Sequence, residues 1–402
     1  MPASPSTARV INDRFALKLL QDEGPLTAGQ LKTLTGLSRP SVADLVERLQ
    51  GAGLITVVGE TGAQRRGPNA RLYGIVADRA HLAALDVRTQ GVSVVVADLV
   101  GTTLAEATLP IDGDATGTEP AVEQAVALLE RTAREAGARR LHSVGIGAPG
   151  LIDPATGELR QTTGLPAWHR RLVAALQERL PATVLVENET NLAAVAEQRL
   201  GAARDRDTFV LLWLGHGVGA ALVLDGKLRR GASGGAGEIG FLPVPGTAGL
   251  PSATDCGGGF HSLAGAAAIA ELAARYGIPT TGDTSAAAGV RAALAAGRAG
   301  EPFLDALAAH LAVGAAAVTA ILDLGCVVLG GESGHAGGAA LAARVADRLA
   351  TMSPLRTEVR AGELGGAAVL QGALLAARDA AQDDVFAPRS QGLSDPVPPD
   401  RP

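Results

Sequence analysis

The chain reads as α/β, with a short N-terminal winged helix-turn-helix followed by a larger body of alternating strands and helices. Apolar residues at helical spacing form three short helices near the N-terminus and lead into two β-branched runs. Three strand-like runs then follow in succession, at 82–87, 91–99 and 102–109. Beyond them, helical and strand-like segments alternate, as they do in α/β domains.

In order along the chain, residues 1–10 are rich in Pro, Ser and Ala and are expected to be a disordered lead. The first helix carries Phe15, Ala16, Leu19 and Leu20, and Glu23-Gly24-Pro25 stops it. Thr27 suits the N-cap of a second helix holding Leu31 and Leu34, and Gly36 suits its left-handed end. Ser38 caps a third helix and Pro40 is tolerated in its first turn. Val42, Leu45, Val46 and Leu49 make that helix's buried stripe. Strands at 54–58 and 71–75 flank a polar turn at 59–69. In the body, helices are expected at 119–136, 170–180 and 191–200, and strands at 142–147, 184–187, 209–214 and 219–224. The Ala-rich stretches 263–276, 285–296, 303–324 and 365–378 read as packed helices. The Pro-rich segment 386–402 reads as a disordered tail. The expected domains are therefore 11–78 for the head and 79–385 for the body.

Composition bounds the function. A 402-residue chain with 47% apolar and 19% charged residues has material for two or three domains and is not mostly disordered. No apolar run is both long and glycine-free enough to span a bilayer, and the N-terminus lacks an apolar signal core, so no membrane contact and a cytoplasmic location are expected. Two cysteines, Cys256 and Cys326, exclude a disulfide framework and a four-Cys zinc site. Residues 1–75 hold nine Lys and Arg against six Asp and Glu, a charge of +3, which leaves −9 for the remainder of a chain whose net charge is −6. A basic head on an acidic body fits a head that meets a polyanion.

The third helix would present Arg39, Ser41, Asp44 and Arg48 to a DNA major groove. Ser38 and the amides after it, with Thr27 at the preceding cap, would favour a phosphate. Arg65, Arg66 and Gly67 lie in the wing, where two cations on a narrow loop suit a narrow minor groove. The alternative is a three-helix scaffold for protein contacts.

These motifs together resemble the ROK family (repressors, uncharacterised frames and sugar kinases), and specifically its transcriptional regulators. The head matches in KLLQDEGPLTAGQLKTLTGLSRPSVADLVERLQGAGLI and RRGPNARLYGI. The body matches in VGIGAPGLID, TTGLPAW, VENETNLAAVAEQRLGA, LGHGVGAALVLDGKLRRGASGGAGEIGFLPV and VVLGGESGHAGG. The resemblance spans about 11–380. It implies a two-lobed actin-like, ribonuclease-H-like body, with lobe 1 at 79–200 joined by the helix at 365–385, lobe 2 at 201–364, and a sugar in the cleft between them.

The resemblance also shows where this chain departs. The family's kinases carry Asp-x-Gly-Gly-Thr, whose glycines admit ATP phosphates; here the run is Asp86-Val87-Arg88-Thr89-Gln90. Their second phosphate loop, Gly-Thr-Gly-x-Gly, is here Gly215-His216-Gly217-Val218-Gly219. Their catalytic Asp is replaced by Glu189. Together these changes predict that phosphoryl transfer is lost, with no cofactor. Of the family's zinc ligands only Cys256 remains, with His261 at the last Cys position. Cys256, His261 and Asp255 are conceivable ligands, but a lone Cys near a His is ordinarily a buried thiol, so no metal is expected. The family's zinc His is Phe241, expected to fill the gap by packing. Of the sugar ligands, Asn188, Glu189 and Glu238 stand at matching positions and Gly164 replaces an Asn.

The expectation is a regulator, specifically a repressor, binding operator DNA as a homodimer or homotetramer and a sugar or sugar-derived effector in its body. The alternatives are a sugar kinase with an appended head, and a regulator controlled by a partner protein.

Overall fold

The computed structural model describes residues 5–60, 70–111, 116–160, 165–247, 249–279 and 285–387. The chain divides into two units: one contains Met1–Leu82, Ala97–Thr102 and Arg378–Pro402, the other Ala83–Val96 and Thr103–Ala377.

The first unit holds helices α1 (Pro5–Asp22), α2 (Ala28–Thr35) and α3 (Arg39–Gly51), and strands β1 (Leu26–Thr27), β2 (Ile55–Glu60) and β3 (Arg71–Ile75). Helix α1 begins at Pro5, inside the stretch expected to lack structure. The apolar stripe that ends α1 is Ala16, Leu17 and Leu20, and Phe15 is exposed. Gln21 Nε2 donates to the Val100 carbonyl (3.1 Å), and Gln382 Nε2 donates to Gln21 Oε1 (2.7 Å). These bonds give helix α1 partners that only the tertiary fold supplies.

Local chemistry sets the rest of this unit. Thr27 and Gln30 form a reciprocal capping box at the start of α2, and Gly36 ends it at φ 70°. Ser38 caps α3, and Val42, Leu45, Val46 and Leu49 are buried as the spacing predicts. The sheet order is β1-β3-β2, with β3 antiparallel to both neighbours and an irregularity between Val57 and Gly59.

The second unit is built on two five-stranded sheets. The first runs in the order β6-β5-β4-β7-β8, using β4 (His81–Arg88), β5 (Gly91–Asp98), β6 (Thr103–Pro110), β7 (Leu141–Ala148) and β8 (Thr183–Asn188). The second runs β11-β10-β9-β12-β13, using β9 (Phe209–Leu214), β10 (Val218–Leu224), β11 (Lys227–Arg229), β12 (Cys326–Gly330) and β13 (Glu358–Ala361). Each sheet has the same order of strands, 3-2-1-4-5 counted within it. In the second, β10 is antiparallel to β9 and β11, whereas β12 is parallel to β9 and β13. Two lobes of one topology are thus present, as the two-lobed expectation requires.

Helices α4 (Thr118–Glu135) and α5 (Ala167–Arg179) cover the first sheet through Val122, Leu129, Trp168 and Leu172. The Ala-rich stretch expected at 263–276 is two helices, α7 (His261–Ala264) and α8 (Ala266–Arg275). They part at Gly265, where a Cβ would stand 2.8 Å from the His261 ring. Helices α9 (Ser285–Ala295), α10 (Glu301–Leu322) and α11 (Gly331–Met352) complete the second lobe. Helix α10 is long and apolar enough, by length and composition, to cross a membrane; half of it is buried against the second sheet's core through Phe303, Leu307 and Leu311.

Between the sheets lie α6 (Glu189–Leu200) and α12 (Ala368–Val385), sharing a cluster with Phe209, Leu211 and Val328. Glycine permits this closeness: a Cβ on Gly145 would lie 2.1 Å from the Ala373 carbonyl oxygen. Glu197 of α6 is 1% exposed, and its carboxylate accepts from the amides of Ala202 (2.8 Å), Leu364 (3.0 Å) and Glu363 (3.2 Å). Glu197→Ala strands three part-buried donors and should lower unfolding stability by about 2 kcal/mol, read as a lower urea midpoint at unchanged slope.

Candidate functional site

On the head, Ser38, Arg39, Ser41 and Asp44 are exposed at the start and outer face of α3. Several of these groups are already engaged. The Ser38 and Ser41 hydroxyls bond each other at 2.9 Å. Arg48 grips Asp13 of α1 with two nitrogens (2.7 and 3.4 Å) and also pairs with Asp44. The expected base-reader Arg48 therefore fastens α3 to α1, a pairing that sequence spacing does not reveal. Thr27 is buried, and its hydroxyl is consumed by Gln30, so its part is to shape the turn. Arg65, Arg66 and Gly67 lie outside the described residues.

In the body, the run Asp86-Val87-Arg88 closes strand β4. Asp86 is 2% exposed, and its Oδ2 accepts from Arg88 Nε at 2.7 Å. The same guanidinium reaches Glu332 Oε1 in the first turn of α11 (2.7 Å) and the Gly366 carbonyl before α12 (2.7 Å). Arg88 thus stands, with its guanidinium engaged on three partners, at a position where the resemblance leads one to expect a glycine. Burial raises the Asp86 carboxyl, and Arg88 opposes that rise. His169 Nε2 donates to the Arg88 carbonyl (3.1 Å), and burial pulls this imidazole down to about 4, so it is neutral. Trp168 packs against it edge to face.

Asn188 and Glu189 join β8 to α6. The Asn188 side chain caps α6, accepting from the Thr190 (2.8 Å) and Asn191 (3.3 Å) amides, while its Nδ2 donates to the Gly150 carbonyl (3.0 Å). Glu187 accepts from Asn191 Nδ2 (2.9 Å) and from Arg230 Nε (2.5 Å), a second ion pair between the lobes. Glu189 is half-buried and forms no ion pair among the described residues. Burial pushes its carboxyl up to about 8, helped by Asp86, Glu332 and Glu238 and opposed by Arg88. Glu238, before the 3₁₀ turn Ile239–Phe241, is exposed, yet crowding by neighbouring atoms raises its carboxyl. Gly164 lies outside the described residues. Sequence reasoning had Glu332, Glu187 and Arg230 within quoted motifs but gave them no role. The signal was available: an Arg in place of a glycine beside a buried Asp demands more acceptors.

The former zinc loop does not suit a metal. Among the described residues no group of three or more His, Cys, Asp or Glu is placed to hold one. An Asp255 oxygen accepts from the Gly257 amide (2.8 Å), and burial pushes the Cys256 thiol up, away from the thiolate a metal needs. Phe241 does not fill the gap as expected; it is 38% exposed, on the solvent side of its turn, and Phe260 is the buried ring.

Because the folded state holds the Glu189 proton more tightly than the unfolded chain does, that stability is complete below the ordinary carboxyl range, near 4.5, and lost as pH rises through about 8. Glu189→Gln keeps a neutral group at every pH. Urea unfolding should find it level with the parent at low pH and more stable by on the order of 2 kcal/mol above pH 8.

Comparison with known proteins fits this geometry. The ROK family profile matches residues 82–380. A xylose repressor of Caldicellulosiruptor bescii is 25% identical over 238 residues, 58% of this chain and 59% of that protein. The DNA-binding transcriptional dual regulator NagC of Escherichia coli is 28% identical over 238 residues, 58% of this chain and 57% of its own length. The matches thus span somewhat over half of these relatives. Among solved structures, a ROK family transcriptional regulator homologous to the E. coli MLC protein superposes with a TM-score of 0.72 at 22% identity, covering 94% of this chain and 98% of that one. A ROK hexokinase from Thermus thermophilus superposes with a TM-score of 0.60 at 26% identity, covering 75% of this chain and 99% of that one. The sugar-kinase-like body and the family profile over most of its length agree: this chain belongs to the ROK family.

Proposed function

We propose that the chain is a DNA-binding transcriptional repressor with a winged helix-turn-helix head and a body that binds a sugar or sugar-derived effector without phosphorylating it. The observation that carries the reading is Arg88. Its guanidinium, bonded to Asp86, Glu332 and the Gly366 carbonyl, occupies the phosphate-facing position of the kinase motif. A polyphosphate would meet a cation already satisfied by two carboxylates, whose own charges repel it.

The head supports the DNA part. Helix α3 starts at a Ser cap with Arg39 and Ser41 exposed, and the groups behind it are tied down, so the helix is presented rigidly. The relatives named as repressors of xylose and N-acetylglucosamine support a sugar-linked role, and the hexokinase neighbour supports a sugar cleft. Asn188, Glu189 and Glu238 are the effector contacts in this reading. Two heads in a homodimer, or more in a homotetramer, would read two half-sites, and lobe closure around the effector would bias their spacing.

A footprint on the DNA upstream of the gene should show a protected, salt-sensitive site, and the absence of any selective footprint would sink the reading. Arg39→Ala should weaken that binding by roughly tenfold with the fold unchanged by circular dichroism. A coupled assay with ATP and a panel of hexoses should stay flat for the folded protein; turnover with any of them would favour the kinase alternative.

A further inference from the structure

We propose that the cavity bordered by β4, β5, β6 and the start of α12 is a second ligand site, and that it takes a small organic cation bearing a primary ammonium. The cavity has a volume of about 490 Å³ and lies wholly in the second unit. Asn188, Glu189 and Glu238 are not among the residues that line it, so it is separate from the proposed effector contacts. Three adjacent strands supply its polar side: Asp86 and Arg88 from β4, Ser93 from β5, Glu106 and Thr108 from β6. Positions two apart on a strand share a face, which groups Asp86 with Arg88 and Glu106 with Thr108. The Ser93 and Thr108 hydroxyls bond each other at 3.1 Å and so tie β5 to β6 on that face. Ala367, just before α12, and Leu370 in its first turn supply an apolar side.

Two facts set the charge of the occupant. Asp86 is 2% exposed, and its Oδ2 accepts from Arg88 Nε at 2.7 Å while its Oδ1 has no hydrogen-bond partner. The guanidinium beside it favours the ionised carboxyl, so Oδ1 is an acceptor that lacks a donor. The second fact is that Arg88 is already matched. Glu332, which does not line the cavity, holds its Nη1 at 2.7 Å, so two carboxylates share one positive charge. Glu106 adds a further charge at the cavity itself; it is exposed and has no hydrogen bond or ion pair among the described residues. The cavity is therefore left with an excess of acceptors and of negative charge. An ammonium supplies the donor that Oδ1 lacks and a charge that offsets Glu106, and its carbon chain suits Ala367 and Leu370. A hydroxyl supplies the donor without the charge. A carboxylate or a phosphate adds to the excess.

Titration calorimetry on the full chain tests this with 1,4-diaminobutane, 1-aminobutane, 1,4-butanediol, succinate and inorganic phosphate. Both amines should bind at least about tenfold tighter than the diol, with succinate and phosphate weaker still. Glu106→Gln, at an exposed position on the edge strand β6, should weaken amine binding about threefold with the circular dichroism unchanged. Thr108→Lys, also at an exposed position, brings a tethered ammonium to the cavity and should abolish amine binding. Diol, succinate or phosphate binding as tightly as the amines overturns the inference, and so does a folded protein that binds neither amine. Amine binding that survives both substitutions undiminished belongs to another part of the molecule and overturns it too. The sugar reading rests on other residues and stands or falls by its own assay.

Discussion

A guanidinium surrounded by acids is the constraint on which the body depends. Asp86 is buried at the end of β4, and a buried carboxylate is tolerable only with a cation beside it. Here it comes from the chain itself, and once Arg88 is in place the geometry around it follows. Glu332 in the first turn of α11 and the Gly366 carbonyl before α12 take its two terminal nitrogens. The bridge therefore joins strand β4 of one lobe to helix α11 of the other. Glu187 and Arg230 repeat the arrangement with the partners exchanged, acid on the first lobe and base on the second.

What could be read from the sequence was what is decided locally. Thr27, Gly36 and Ser38 each act within three or four residues of themselves, so the helix boundaries in the head are set by short-range hydrogen bonds and backbone conformation. The stripe Val42, Leu45, Val46 and Leu49 has a period that only one helix face satisfies. Strands β3 and β9 coincide with the runs read at 71–75 and 209–214. What could not be read depends on long-range partners. Arg88 and Glu332 are 244 positions apart, and Arg48 and Asp13 are 35 apart. Helix α11 went unrecognised because Gly331, Gly334, Gly337 and Gly338 dilute its pattern. Gly334 is small because a Cβ there would stand 2.5 Å from the Leu329 carbonyl, and Gly338 because its φ of 52° kinks the helix. Strand β12 is buried on both faces, so it shows no alternation to mark it. Phe241 is exposed rather than packed because only the fold decides which side of a short turn faces solvent.

The head uses its charged residues in the same internal way. Arg48 spends its donors on Asp13 and Asp44, and Ser38 and Ser41 spend theirs on each other. Of Ser38, Arg39, Ser41, Asp44 and Arg48, Arg39 alone has a side chain with no hydrogen bond or ion pair among the described residues. The division makes physical sense: an exposed cation that must discriminate among ligands loses less entropy on binding when the helix carrying it is already fixed. Because Arg48 is paired with Asp13 and Asp44, fewer cations of this segment are open to an external partner than its nine Lys and Arg suggest.

The two segments that the proposed effector site would bring together differ in character. The loop carrying Glu238 is shaped by backbone contact. Gly234 and Gly237 sit at φ 82° and 92°, a Cβ on either would come within 1.9 Å of a carbonyl oxygen, and the Gly237 carbonyl accepts from the Ala220 amide at 2.8 Å. Such a wall is formed before any ligand arrives, since close backbone contacts with Ile152 and Ala220 set it. The wall carrying Asp86 and Arg88 is held by ion pairs, with the Arg88 side chain 41% exposed. Ion pairs open to solvent are weak and exchangeable, whereas a steric constraint of this kind is not. A ligand that competes for Asp86 or Glu332 would alter the second wall and leave the first as it is. Since Arg88 joins strand β4 to the first turn of α11, a ligand that loosened its hold would, in the proposed regulator, act on both elements at once.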